Sequence, residues 1–238
     1  MTTVSAALLD PLLRVDPAGP RITYYDDATG ERIELSTATL VNWAAKTGNL
    51  LRDELGAGPS SRVAVFLPAH WQTAAVLFGI WWIGAEVQFD DAPADIAMCT
   101  SDRIEDADSV VGPVGDVVAL SLDPFGTPIP HLPVGITDYA TSVRVHGDQI
   151  AAEPHPGPAL AGRSAGEVLA AARHSATASQ ITSADRVLST ATWDTADLLV
   201  ENMLAVFSAG ASLVQVANAD PAAMQRRRET EKISRVIG

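Results

Sequence analysis

The chain has a single cysteine in 238 residues, Cys99, so an internal disulfide is excluded. Cys99 sits in the apolar run "ADIAMCT" and reads as a buried small hydrophobe, as expected of a reducing compartment. No apolar run is long enough for a membrane span: the most apolar stretch, "TAAVLFGIWWIGA", has about half the length required. The opening "MTTVSAALLDPLLRVDP" lacks the basic and apolar regions of a secretory signal. Positive charge is scarce. Sixteen Lys and Arg face 29 Asp and Glu, giving a net charge of −13 and a pI near 4.6. A field of that sign repels phosphate backbones, which argues against a nucleic-acid partner and fits ordinary cytoplasmic solubility.

Chemical motifs are also missing. None of the five histidines (His70, His131, His146, His155 and His174) has another at i,i+3 or i,i+4, nor a Cys or Glu at metal spacing. Surface positions are expected for them, and no metal. No Gly-x-Ser-x-Gly elbow and no Walker lysine occur. No Gly-x-Gly-x-x-Gly follows "RVAVF" or "RVLST". The carboxylate groups Asp26-Asp27, Asp90-Asp91 and Glu105-Asp106-Asp108 lie in turn-like contexts, where Asp serves local hydrogen bonding. Arg226-Arg227-Arg228 is balanced by Glu229 and Glu231 and reads as a solvated helix face.

What is present is a composition for a packed core, 47% hydrophobic and 19% charged, and an internal echo. "SRVAVFLPAHWQTAAVLFGIWWIGAEVQF" and "DRVLSTATWDTADLLVENMLAVFSAGASLVQV" each run Arg-Val, a short apolar run, a helical segment, Gly-Ala and a second apolar run. Arg62 and Gly84 stand 22 positions apart, Arg186 and Gly210 24. The pattern predicts two strand–helix–strand units with parallel strands inside covered sheets. Gly84 and Gly210 are placed to stop the helices in the left-handed conformation. The expected fold is α/β: two βαβ-containing subdomains with mostly parallel sheets covered by helices.

The remaining elements follow coarsely. "RITYYDDATGERIELS" predicts a hairpin turning at Asp27 to Gly30. Ser36 caps a helix with Leu40, Trp43, Thr47, Leu50 and Leu51 on one stripe, stopped by Gly56 and Gly58. "DIAMCT", "SVV" and "DVVALSL" read as short strands, "TDYATSVRVHG" and "AGEVLAAARHSATASQ" as helices, and the tail from Asp220-Pro221 as an exposed helix. The proline-rich crossing "DPFGTPIPHLPVGITD" divides the chain into a first subdomain with the N-terminal hairpin, 1–130, and a second, 131–238.

This order of pieces resembles the N-terminal part of the adenylate-forming (AMP-binding) superfamily, which includes the acyl-CoA synthetases. The resemblance is carried by "LGAGPSSRVAVFLP", "GIWWIGAEVQFDD" and the second echo, and runs from about Arg21 to Ile237. It covers the first part of a full-length member. The chain is more closely similar to a short actinobacterial family of truncated relatives. The resemblance implies a phosphate loop at "HPGPALAGRSAGEVLAAAR", followed by a helix. In the family its amides and hydroxyls hold the ATP phosphates and a lysine offsets their charge. Here the glycines fall on Gly162 and Gly166, the hydroxyl positions on Leu160 and Ala161, the lysine position on Ala165 and the preceding proline on Ser164. Arg163 occupies a variable position.

Leucine and alanine side chains donate nothing, so the loop is expected to be vestigial: Gly162, Arg163, Ser164 and Gly166 mark it without binding a cofactor. The family's adenine, magnesium and catalytic-lysine features fall after Gly238, so none is carried over, and no catalytic residue is expected. Trp193-Asp194 resembles an aromatic–acidic pair lining the acyl pocket. Trp193 equally fits the core, and Asp194 or Thr195 a helix cap. The expectation is a non-catalytic protein without cofactor, binding a protein partner, a second copy of itself or a small apolar or acyl ligand. The alternative is a carboxylate-activating enzyme or subunit, working through Arg163 and the backbone of Gly162 to Gly166 with a partner chain.

Overall fold

The apolar runs become the interiors of two five-stranded sheets. The computed structural model describes residues 2–238. In chain order the elements are α1 (Val4–Val15), β1 (Pro20–Asp26), β2 (Glu31–Ser36), α2 (Thr37–Asn49), β3 (Arg62–Phe66), α3 (Trp71–Trp82), β4 (Glu86–Gln88), β5 (Ile96–Thr100), α4 (Ile104–Val111) and β6 (Asp116–Leu120). There follow β7 (Ile136–Asp138), α5 (Tyr139–Ser142), α6 (Ala165–Ala178), β8 (Arg186–Ser189), α7 (Ala196–Leu199), α8 (Ala205–Ser208), β9 (Ser212–Ala217), α9 (Pro221–Thr230) and β10 (Arg235–Ile237). The first sheet, ordered β4-β3-β5-β6-β7, is parallel throughout. The second, β10-β8-β9-β1-β2, is parallel except for the β1–β2 hairpin.

The echo is real in three dimensions. Arg62 pairs with Glu86, and Arg186 with Ser212, each two residues past the glycine that ends the intervening helix. Gly84 and Gly210 both have left-handed backbone, at φ 76° and 81°. The longer second copy carries a wide π turn, Val200–Leu204, between α7 and α8, which absorbs part of its extra length.

Several expectations are corrected. "SVV" is the end of helix α4, not a strand: Ala107, Val110 and Val111 fall at i, i+3 and i+4 and bury one face, while Glu105 and Asp106 suit its first turn. The division at residue 130 does not follow the sheets. The hairpin at residues 20–36 belongs with the second sheet because the apolar β9 needs a neighbour on each side and β1 supplies one, Ile22 opposite Leu213. Conversely β7, after residue 130, completes the first sheet. One hydrophobic cluster crosses between the sheets, with Phe78 of α3 and Phe207 of α8 5.3 Å apart.

The tail is not only an exposed helix. It ends in β10, and Arg227 is buried rather than solvated: it pairs with Asp27 and lies 4.3 Å over the Tyr25 ring. Nearby, Glu231 accepts from Tyr25, Arg186 and Arg32, the last at 3.0 Å. These contacts clamp α9 and its following turn onto the outer face of the second sheet.

Helix α3 has no wet face: all twelve residues are buried. It packs on α2 through facing glycines. A Cβ on Gly79 would stand 2.9 Å from the Ala44 carbonyl and 2.8 Å from Thr47 Cβ. Gly79→Ala gains about 1 kcal/mol of helix propensity but overpacks against backbone, which costs about 1–3 kcal/mol. Urea unfolding is expected to register a net loss; a variant at least as stable as the parent contradicts this packing.

Burial raises the Glu231 pKa, but hydrogen bonds from Tyr25, Arg186 and Arg32 outweigh it and bring the group from 4.5 to about 2. Its stabilisation is therefore present above pH 4.5 and fades as pH falls toward 2. Thermal unfolding midpoints should drop less steeply over that window in Glu231→Gln than in the parent; parallel slopes contradict the assignment.

Candidate functional site

The glycine-proline loop docks at the end of the first repeat. The Trp81 indole N–H donates to the Ala159 carbonyl at 2.7 Å, and the Gly157 amide to the Gly84 carbonyl at 3.0 Å. Leu160 then pairs with Val87 of β4, and its side chain is fully buried. Position 160, where the resemblance implies a hydroxyl, is thus a core anchor. Ala165, where it implies the lysine, is buried as well. Ala161 and Gly162 turn the chain in left-handed backbone, φ 47° and 77°.

Each amide from 159 to 164 has an acceptor in the chain itself. Ala159 and Leu160 donate to the Arg163 carbonyl, Ala161 to Val87 and Arg163 to Leu160. The Gly162 amide donates to the Glu86 carboxylate at 2.5 Å. The Ser164 amide and hydroxyl donate to the Glu167 carboxylate at 2.8 and 2.7 Å, and Ser164 caps α6 in return, closing a capping box. Those bonds, led by the Ser164 hydroxyl, hold the Glu167 carboxyl below the ordinary range. Two protein carboxylates thus take the Gly162 and Ser164 amides just ahead of α6. The Arg163 guanidinium pairs with the exposed Asp197 at 3.4 Å, a surface pair of small energetic weight.

The sequence singled out the loop but missed Glu86. Ser164-x-x-Glu167 is a readable capping signature, whereas Glu86 approaches Gly162 from 76 positions away, which no local pattern encodes.

A separate groove runs along the carboxyl ends of both sheets, the usual place for ligands in parallel α/β folds. Its first part, about 880 Å³, is lined by Val65 to Ala69 after β3 and by Thr192, Trp193 and Asp194 after β8. Its second part, about 780 Å³, lies between the hairpin and the Leu122–Phe125 turn. Gly162, Ser164 and Gly166 line a different cavity, about 470 Å³, so the structure does not bring the loop and the Trp193-Asp194 pair together.

Trp193 lines the groove yet is only 1% exposed. Asp194 accepts from the Thr192 hydroxyl at 2.9 Å, and Thr195, not Asp194, caps α7. Charge along the first part is acidic, with Asp26, Asp91, Asp102 and Asp194 against Arg103.

His70, expected at the surface, is 2% exposed. Its Nδ1 accepts the Gln72 amide at the start of α3, its ring sits 4.3 Å edge-on to Tyr24, and burial holds its pKa below the ordinary value. Cys99 is buried and its thiol is pushed up to about 12, chiefly by burial, so it is unreactive as a thiolate. Among the described residues no group of three His, Cys, Asp or Glu side chains is placed to hold a metal ion, and no helix is long and apolar enough to cross a membrane.

No family model matches the chain. It is 67% identical over 239 residues to the TIGR03089 family protein of Mycobacterium tuberculosis (strain ATCC 25618 / H37Rv), covering 99% of this chain and 98% of that protein. Among solved structures it is similar to the Brucella canis acyl-CoA synthetase (TM-score 0.81, 16% identity, 98% of this chain and 46% of that one). It is also similar to the anthranilate CoA ligase AuaEII in complex with anthranoyl-AMP (0.73, 14%, 97% and 48%). A third is a benzoate CoA ligase from Burkholderia xenovorans LB400 (0.76, 15%, 100% and 50%). At these identities the likeness establishes the fold, that of the N-terminal part of such enzymes; the chain spans about half the length of each.

The Glu86–Gly162 bond has a measurable consequence. Glu86→Ala removes a hydrogen bond to a charged acceptor and should destabilise the fold by about 1.5–3 kcal/mol in chemical denaturation. A loss under about 0.5 kcal/mol contradicts the contact.

Proposed function

The chain belongs to the TIGR03089 family, and we propose that it is a non-catalytic form of the adenylate-forming fold that acts by binding a partner protein. One observation carries this reading: the amides of Gly162 and Ser164 are taken by the chain's own carboxylates, Glu86 and Glu167. Seating a triphosphate there means breaking the Gly162–Glu86 bond, worth about 1.5–3 kcal/mol. The incoming anion also meets two carboxylates at short range, with no lysine at position 165 to offset them. Charge elsewhere adds to the opposition. The groove facing the sheet ends is acidic, and the whole chain stands at −13.

The competing reading is a carboxylate-activating subunit completed by a second chain. Its support is the likeness to benzoate and anthranilate CoA ligases over about half their length. The two readings part on nucleotide. Calorimetric titration with ATP and magnesium is expected to give no heat of binding up to millimolar nucleotide, and pyrophosphate exchange with benzoate or anthranilate to stay at background, with or without cell extract. Micromolar ATP binding, or exchange with any of these acids, refutes the non-catalytic reading.

A further inference from the structure

We propose that the open edge of β10 takes a parallel strand from a partner protein, in the place that β6 fills in the first sheet. The proposal deepens the partner-binding reading above and rests on it. The two βαβ units agree beyond the stretch that the sequence announces. β3 pairs with β4 on one side and β5 on the other; β8 pairs in the same way with β9 and β10, all parallel. Val63 stands opposite Ile96, and Val187 opposite Arg235. The bonds at the strand starts repeat as well. The Arg62 amide donates to the Asp95 carboxylate at 2.8 Å, and the Asp95 amide to the Arg62 carbonyl at 2.9 Å. Likewise the Arg186 amide donates to the Ser234 hydroxyl and the Ser234 amide to the Arg186 carbonyl, both at 3.0 Å. β10 is thus the counterpart of β5, with Arg235, Val236 and Ile237 in the places of Ile96, Ala97 and Met98.

The agreement stops at the next strand. β5 has β6 on its far side, with Ala97 opposite Val117. Among the described residues β10 has β8 alone and is the outer strand of its sheet. Exposure follows from this. Ala64, Ala97 and Val117 form a buried row across the first sheet. Leu188 and Val236 begin the same row in the second, but Val236 is 44% exposed although Leu188 beside it is fully buried. The row's next place is open. An open edge also presents backbone N–H and C=O groups to a further strand. In the first sheet the Asp116 amide meets the Asp95 carbonyl at 3.2 Å; the Ser234 carbonyl is the corresponding acceptor on β10.

Register sets the chemistry of the occupant. A strand laid on β10 as β6 lies on β5 places one residue opposite Arg235, where β6 has Asp116, and the next two opposite Val236 and Ile237, where β6 has Val117 and Val118. Arg235 is half-buried, so an acidic residue suits the first place. Apolar β-branched residues suit the next two, because they extend the row from Leu188 through Val236. Backbone bonds supply the affinity in this mode of recognition and the side chains the selectivity. A second copy of this chain does not fit the requirement: β10 against β10 about a two-fold axis is antiparallel, whereas the repeat calls for a parallel neighbour.

The test uses the full chain and a fluorescein-labelled peptide, PVGDVVALSLD, which copies residues 113–123 and so carries the β6 strand. Fluorescence anisotropy is expected to show binding, and the same peptide with Val118→Pro, which cannot donate at the strand's centre, to lose it. Hydrogen–deuterium exchange should show the peptide slowing exchange at residues 235–237. In the protein, Arg235→Glu and Val236→Asp should each weaken binding by about two- to fivefold. A peptide with Asp116→Lys should recover the loss against Arg235→Glu and not against Val236→Asp. Circular dichroism reports whether each variant is folded, and Val236→Asp carries the test should Arg235→Glu fail to fold.

Absence of binding overturns the proposal. So does equal binding of the Val118→Pro peptide, affinity that ignores both protein variants, or slowed exchange at the β2 or β7 edge in place of β10. Light scattering that shows a dimer, with residues 235–237 protected before any peptide is added, also overturns it, in favour of a second copy. An ATP titration of the same sample keeps the two claims apart. Nucleotide binding brings down the non-catalytic reading, whereas silence from both ATP and peptide removes only the strand proposal.

Discussion

Helix α3 has to be dry on every side, and the architecture is arranged to meet that demand. A helix apolar all round cannot lie on one sheet with its back to water. It is covered by its own parallel unit, by α1 and α2, and by strand β1 of the second sheet. That requirement ties the two sheets into one core although each is built from its own βαβ repeat. It also explains the hairpin's allegiance. β1 and β2 precede the first repeat in the chain, but their burial lies in completing the sheet that closes over α3.

The same helix fixes where the glycine-proline loop can go. Trp81, at the end of α3, holds the Ala159 carbonyl, and Gly84 just beyond it takes the Gly157 amide. The loop is therefore pinned at the point where it leaves the core, and Leu160 enters that core as a hydrophobic anchor. Once an apolar side chain occupies position 160, burial rather than ligand binding orders the loop. The amides still gather at a helix start, as they would for an anion, and the anion is supplied from within: Glu167 by local capping, Glu86 from the end of the neighbouring strand. Two of the amides at that start thus already carry carboxylates.

Much of this was legible in the sequence. Arg62 and Arg186, with Gly84 and Gly210, announced two parallel units because strand continuity and helix termination are local physics. The missing hydroxyl and ammonium groups of the loop were legible too, since Leu160 and Ala165 stand where the resemblance implies them. Pairings set by tertiary demand were not. "SVV" has the apolar content of a strand, but Ala107 four residues before Val111 gives it a helical face. Arg227 sits between Arg226 and Arg228 like a solvated residue, because its partner, Asp27, lies 200 positions away. Sequence distance likewise hides Glu86 from any reading of the loop, and burial of His70 depends on Tyr24 from a strand that belongs to the other sheet.

The loop and the groove present different chemical states on one scaffold. Around Gly162 the amides and the nearby carboxylates satisfy each other, so binding there has to undo existing bonds before it makes any. Along the groove the lining carboxylates outnumber the arginines, and Glu31 faces His70 at 3.8 Å. Binding free energy is the balance between the interactions a ligand makes and those the protein and solvent already hold. By that measure an anion at the Gly162 and Ser164 amides starts from a deficit, the bonds those amides already make. An anion approaching the Gly162 and Ser164 amides therefore competes with Glu86 and Glu167, and one entering the groove meets a lining that is mainly acidic.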